Sequence, residues 1–193
     1  MATDIVIPQG SATEIEDLVK RTVDQYLEGK DAEKATMPKK IAIIATKGTL
    51  DWAYPPLILA STAASLGWEA GIFFTFYGLN IVHKEKSKSI GIVPIANPAM
   101  PMPVPVPNLL GALPGMTPFA TFMMKKKFKD HGVASIPELT DLCFEAGVKM
   151  FPCAMTMDVF GYKPTDFMEG CDDVCGAAAF LSWASDADVT LAF

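Results

Sequence analysis

The chain opens on positions that repeat with a helical period. Ile15, Leu18, Val19, Thr22, Val23, Tyr26 and Leu27 recur on one face, with acids, Lys20 and Arg21 between them. Ser11, followed three residues later by Glu14, supplies a capping box. The pattern predicts an N-terminal helical extension over 1–38, ended by Gly29 and the charged stretch up to Pro38. Its apolar face would pack on its own domain or on a neighbouring subunit. The period then changes. Residues 39–46, KKIAIIAT, form an apolar run behind two lysines, as in a strand covered on both faces. KGTLDW follows, with Gly48 at a turn and Thr49 or Asp51 as a cap. A helix is predicted over 51–66, stopping near Gly67, with Pro55 and Pro56 tolerated in its first turn. Residues 69–76 make a second apolar strand. Strand, helix and strand at this spacing form a right-handed βαβ unit, so the fold class is α/β with a mainly parallel sheet. The α/β domain spans 39–193.

A short helix with a basic end is predicted within 77–88. It contains His83, which reads first as a surface residue. The segment 94–124 departs from both periods. It has no charged residue, yet it holds eight prolines and five methionines. Its length suggests a membrane span, but PAMPMPVPVP cannot supply the continuous backbone bonding that a spanning helix needs. The part over 109–124, followed by Lys125, Lys126 and Lys127, suits an interfacial position or a cover for another subunit. The expectation placed first is an oligomer or partner surface, because an exposed patch of this kind invites aggregation. Membrane contact comes second.

Residues 135–146 read as a helix with Ile136, Leu139, Leu142 and Cys143 on its apolar stripe. Ser135 and Glu138 form its capping box, and Gly147 ends it. A strand over 148–152 leads directly to Cys153 and the helix-like segment AMTMDVFGY. A final helix is predicted from about 172 to 185, and a closing strand over 188–193. In a parallel α/β sheet, ligands bind at the carboxyl ends of the strands. Cys153 lies at one such end, and the start of the final helix would bring Cys171 and Cys175 to the same rim. Cys143 belongs near the other end of that strand. Five strand residues at about 3.3 Å each separate it from Cys153 by roughly 16 Å. A disulfide needs Cα atoms within about 7 Å, so Cys143 and Cys153 should not bond within one subunit.

Composition narrows the chemistry. The 193 residues are half apolar, enough for one full core. The formal charge is −6, which disfavours nucleic acid as a partner. The start, MATDIVIPQG, has no basic n-region or long apolar h-region. A cytoplasmic, reducing setting is therefore expected, where thiols react or bind metal more often than they form structural disulfides. The four cysteines lack the C-x-x-C spacing of zinc knuckles, so no metal is expected. No Walker loop, GxGxxG or Ser-His-Asp arrangement is present, and no cofactor is expected. With only His83 and His131 available, a Cys-His hydrolase is poorly supported.

Cys153 is the candidate reacting group. A thiol at a strand-to-helix junction faces backbone N–H groups that favour the thiolate. Such a thiolate without an evident base suits sulfur exchange better than hydrolysis. Thr156 is a possible hydroxyl donor to it, or an ordinary helix-cap residue. Cys143 reads most simply as core. Cys171 and Cys175 remain open between a redox pair, a resolving thiol for Cys153 and plain fillers. The rivals to a sulfur carrier are a thiol–disulfide or peroxide-reducing enzyme using Cys153 with Cys171 or Cys175, and an adaptor that docks through 94–124.

Three segments carry a family resemblance covering about residues 39–193. They are KIAIIATKGTLDWAYPPLILASTAASLGWEAGIFFTFYGL, VKMFPCAMTMDVFGY and the ending CGAAAFLSWASDADVTLAF. Together they resemble the DsrE/DsrF-like sulfur-relay family, in particular its larger branch, which works beside TusA-like carriers and rhodaneses in sulfur-oxidising prokaryotes. The resemblance implies a flavodoxin-like fold, a homo-oligomer and a cysteine that holds persulfide or thiosulfonate sulfur. Cys153 matches that cysteine, and Cys143 matches a second cysteine of the larger branch. Cys171 and Cys175 match no family role. Smaller members lack the N-terminal helix and the Pro- and Met-rich insertion, and membrane association is suspected for some larger ones.

Overall fold

A computed structural model describes residues 12–92, 115–171 and 174–193. The chain divides into two units, Met1–Pro38 and Lys39–Phe193. Among the described residues, the first unit contains one helix, α1 (Ala12–Thr36). Gly29 does not end it, contrary to the sequence expectation. One interior glycine costs only about 1 kcal/mol relative to alanine, and the helix formers that follow it, among them Lys30, Ala32, Glu33 and Lys34, outweigh that cost.

Among the described residues, the second unit is built on four parallel strands: β1 (Lys40–Ala45), β2 (Glu69–Phe74), β3 (Lys149–Pro152) and β4 (Val189–Ala192). Their order in the sheet is β3-β2-β1-β4. Between them come α2 (Leu50–Ser65), α3 (Lys86–Ser89), α4 (Met116–Asp130), α5 (Ile136–Glu145), α6 (Ala154–Phe160) and α7 (Ala177–Ala184). This is the α/β class with a parallel sheet that the apolar runs predicted, and it fits the flavodoxin-like fold that the resemblance implied.

The order fixes which helices cover which face. From β1 through β2 to β3 the chain steps one way across the sheet, and from β3 to β4 it steps back. Crossovers of one hand therefore place α2 and α5 on one face and α7 on the other. Side-chain alternation agrees. Ile41, Ile43, Ile72, Phe74 and Met150 join the α2/α5 core, whereas Ala42, Phe73 and Phe151 join Phe180 and Trp183 of α7.

Several boundaries differ from the sequence reading. Pro55 and Pro56 lie inside α2, past its first turn, and forgo bonds to the carbonyls of Asp51 and Trp52. The short helix expected in 77–88 is a 3₁₀ turn, Phe76–Ile81, followed by the single turn of α3. The final helix begins at Ala177 rather than near 172, because Cys175 is engaged in sheet pairing. Helix α5 keeps its Ser135/Glu138 capping box.

The insertion call on 94–124 falls largely outside the described residues. Its final part enters α4, where Ala120, Met124 and Phe128 pack on the main core while Phe119, Phe122 and Met123 are exposed. Among the described residues, no helix is long and apolar enough to cross a membrane.

Candidate functional site

Cys153 is the N-cap of α6 and follows the last residue of β3. Its N–H donates to the carbonyl of Phe74, which ties it to the end of β2. The residue is 4% exposed and faces the α7 side of the sheet with Phe73 and Phe180, whose rings stack 4.8 Å apart. The thiol thus sits at the carboxyl rim, with an aromatic wall behind it.

Two hydroxyls stand beside it. Thr75, just beyond β2, and Thr156, in the first turn of α6, are both buried, and their oxygens lie 3.1 Å apart. The N–H of Phe76 also donates to the Thr156 hydroxyl oxygen, at 3.2 Å. The pair holds two hydroxyl protons and spends one on the bond between them. Whichever way that bond runs, one proton remains for a further acceptor.

The Cys153 sulfur lies within reach of both hydroxyls. Burial by itself raises the Cys153 thiol pKa, but the Thr156 hydroxyl and N–H, the Thr75 hydroxyl and the Met155 N–H outweigh it. The thiol is held below its ordinary range. As it stands, the side chain makes no capping hydrogen bond, so these donors act on the thiolate as it forms. Helix α6 has only seven residues. The electrostatic effect therefore comes from these particular donors rather than from a long helix dipole.

Phe76 adapts the backbone to this arrangement. Its φ of 48° is the only left-handed value at a non-glycine position among the described residues. That conformation aims the Phe76 N–H at Thr156 and turns the chain out of β2. Strain of this kind concentrates where a functional geometry is over-determined.

The other cysteines are distributed unequally. Cys175 forms an isolated parallel bridge with Cys153, lies in the same buried cluster and is 9% exposed. Cys171 packs against the core on the α2/α5 side. Cys143 is fully buried in that same core, and its thiol donates to the carbonyl of Leu57 at 3.4 Å. Burial pushes the Cys143 thiol up to about 12, against weaker opposing contributions from Ser61. Cys143 and Cys153 thus occupy opposite faces of the sheet as well as different heights along it. None of the four cysteines is in a disulfide.

His83 serves its own turn. Its Nδ1 accepts the N–H groups of Glu85 and Lys86, and its ring packs on Tyr162 and Phe167. Among the described residues, no cluster of His, Cys, Asp and Glu is placed to hold a metal. A cavity of about 460 Å³ opens beside the starts of α2 and α5, with Lys88, Lys125 and Lys129 in its walls, but none of the four cysteines lines it.

Residues 37–192 match the model of the DsrE/DsrF/DrsH-like family. The chain belongs to this family. It is 53% identical over 157 residues to the sulfur carrier protein DsrE2 of Allochromatium vinosum, a match covering 79% of this chain and 97% of that protein. It is also 29% identical over 159 residues to the uncharacterized protein YrkE of Bacillus subtilis, covering 79% and 96% respectively. Sequence reasoning missed Thr75. Nothing in the TFYG stretch marks that hydroxyl as a neighbour of Cys153, because only the β2–β3 register brings the two together.

Proposed function

We propose that this protein is a sulfur carrier that holds sulfane sulfur on Cys153. The observation that carries the reading is the convergence of the Thr75 and Thr156 hydroxyls and two backbone N–H groups on one rim thiol with a lowered pKa. The sulfur-carrier name of its 53%-identical relative supports it.

In the loading step, the Cys153 thiolate attacks the outer sulfur of a donor persulfide. A Cys153 persulfide forms and the donor thiol leaves. With tetrathionate, the same attack leaves a Cys153 thiosulfonate and releases thiosulfate. In the unloading step, the thiolate of an acceptor attacks the outer sulfur and Cys153 departs as a thiolate. The donors that lower its pKa make it the better leaving group. By the family resemblance, its partners are a TusA-like carrier and a rhodanese, and the sulfur passes to a small protein thiol carrier. Work as a homo-oligomer in the cytoplasm, with 94–124 as an oligomer or partner surface first and a membrane contact second, belongs to the same proposal. Cys143, unreactive while buried, has a supporting place in the core.

Intact-mass spectrometry after tetrathionate or polysulfide tests the reading. The expected result is one sulfur-containing adduct that persists in Cys143→Ser and is lost in Cys153→Ser. An adduct that survives Cys153→Ser would overturn the proposal.

A further inference from the structure

Cys175 is held against Cys153 by a ladder. The N–H of Cys175 donates to the carbonyl of Pro152 at 3.0 Å, and the N–H of Ala154 donates to the carbonyl of Cys175 at 3.1 Å. These bonds bracket Cys153 and put the two cysteines directly opposite each other as a parallel pair. Cys175 thereby acts as a one-residue extra strand on the outer edge of β3.

Opposed residues of adjacent parallel strands have Cα atoms about 4.8 Å apart and point to the same face. A disulfide accepts Cα separations of about 4.4–6.8 Å. Both side chains also belong to one buried cluster with Phe73 and Phe180. Cys171 lies only four positions earlier but packs on the other core. The choice between the two, open in the sequence, is decided by register.

We propose that Cys175 is a second reacting thiol of this site, which discharges Cys153 by closing a Cys153–Cys175 disulfide. The step rests on Cys153 carrying sulfur, as proposed above. With persulfide loaded, the Cys175 sulfur attacks the Cys153 Sγ. The bond from Cys153 to its outer sulfur breaks, and the electron pair leaves with that sulfur. The outer sulfur takes the Cys175 proton and departs as hydrosulfide. The sulfane sulfur is reduced, and the two cysteine sulfurs are together oxidised by the same two electrons. With thiosulfonate loaded, the identical attack releases thiosulfate. A dithiol reductant reopens the disulfide and resets the site.

The consequence is a choice of products. An acceptor thiolate that reaches the outer sulfur first receives it intact. When no acceptor arrives, Cys175 releases inorganic sulfur and leaves the site oxidised. The carrier then has a built-in discharge route set by the competition between an intermolecular and an intramolecular thiol.

The test uses the full chain, pulsed with tetrathionate, desalted and followed by intact mass, with the disulfide mapped by proteolysis under non-reducing conditions. In the wild type and in Cys171→Ser, the Cys153 adduct should decay into a Cys153–Cys175 disulfide with release of thiosulfate. In Cys175→Ser and Cys175→Ala the adduct should persist about tenfold longer or more, since a positioned thiol has been removed. Equal persistence in wild type and both Cys175 variants overturns the role of Cys175 and leaves the carrier function standing. Absence of any adduct on Cys153, even in Cys175→Ser, overturns both. Wild-type protein equilibrated in glutathione redox buffers gives a second measurement, independent of variant folding. A Cys153–Cys175 disulfide there supports the pairing, and one that instead joins Cys171 or a second chain overturns it.

Discussion

Thr156 and Thr75 show how much a single proton can decide. Their shared hydrogen bond leaves one hydroxyl proton for a further acceptor, and both threonines act to lower the Cys153 pKa. Thr156→Val should therefore move the pH midpoint of Cys153 alkylation upward and slow alkylation at neutral pH, while Thr156→Ser keeps the wild-type profile. Iodoacetamide kinetics followed across pH measure this, and an unchanged profile in Thr156→Val would count against hydroxyl stabilisation. Cys143 gives the opposite case. Its folded-state pKa is raised from 9.0 to about 12 by burial. A thiol with a raised folded pKa contributes fully below the unfolded value, and that contribution is lost as pH rises towards the folded one. Stability should fall between pH 9 and about 12 by an amount that Cys143→Ala does not show, on the order of a few kcal/mol for a shift of this size. Urea titrations at stepped pH would reveal it. Cys153 was legible as the candidate thiol because a strand, a cysteine and a helix follow one another in the chain. Thr75 was not, because its relation to Cys153 exists only across a strand pair.

At the scale of elements, two glycines set the approach of the turns that leave β1 and β2. A Cβ on Gly78 would run into the carbonyl of Ala45, and one on Gly48 into the carbonyl of Tyr77. The 3₁₀ turn after β2 is thus pressed against the end of β1, and Gly78 donates its N–H to the carbonyls of Thr46 and Thr75. Gly78→Ala should cost about 1–3 kcal/mol, as overpacking does, and should disturb the segment carrying Thr75 and Phe76. Chemical denaturation, with the alkylation rate of Cys153 as a second readout, checks both parts. If stability and rate are each unchanged, the close approach does not matter. The elements were mostly legible, since apolar runs and the Ser135/Glu138 box have local causes. The misplaced start of the last helix has a non-local one. Cys175 pairs with β3, and the chain turns helical only after that ladder ends.

For the molecule as a whole, Lys39–Phe193 is a unit with its own buried core, which includes Ile41, Ile43, Ile72, Phe74 and Met150. Removal of 1–38 should leave residues 39–193 folding cooperatively, with a melting temperature within a few degrees of the full chain. Calorimetry of the two forms decides this, and loss of a cooperative transition would show that the extension is part of the fold. The sequence by itself determined the fold class, the βαβ order and the candidate thiol. These follow from periodicity and from residues adjacent in the chain, where local sterics and burial act directly. Only the tertiary structure decided which other groups meet that thiol. The reversal of strand order sends α7 to the face opposite α2 and α5. That reversal separates Cys143 and Cys171 from Cys153, and register sets Cys175 beside it. Spacing along the chain already set Cys143 apart from Cys153, but the choice between Cys171 and Cys175 depends on how strands align across the sheet.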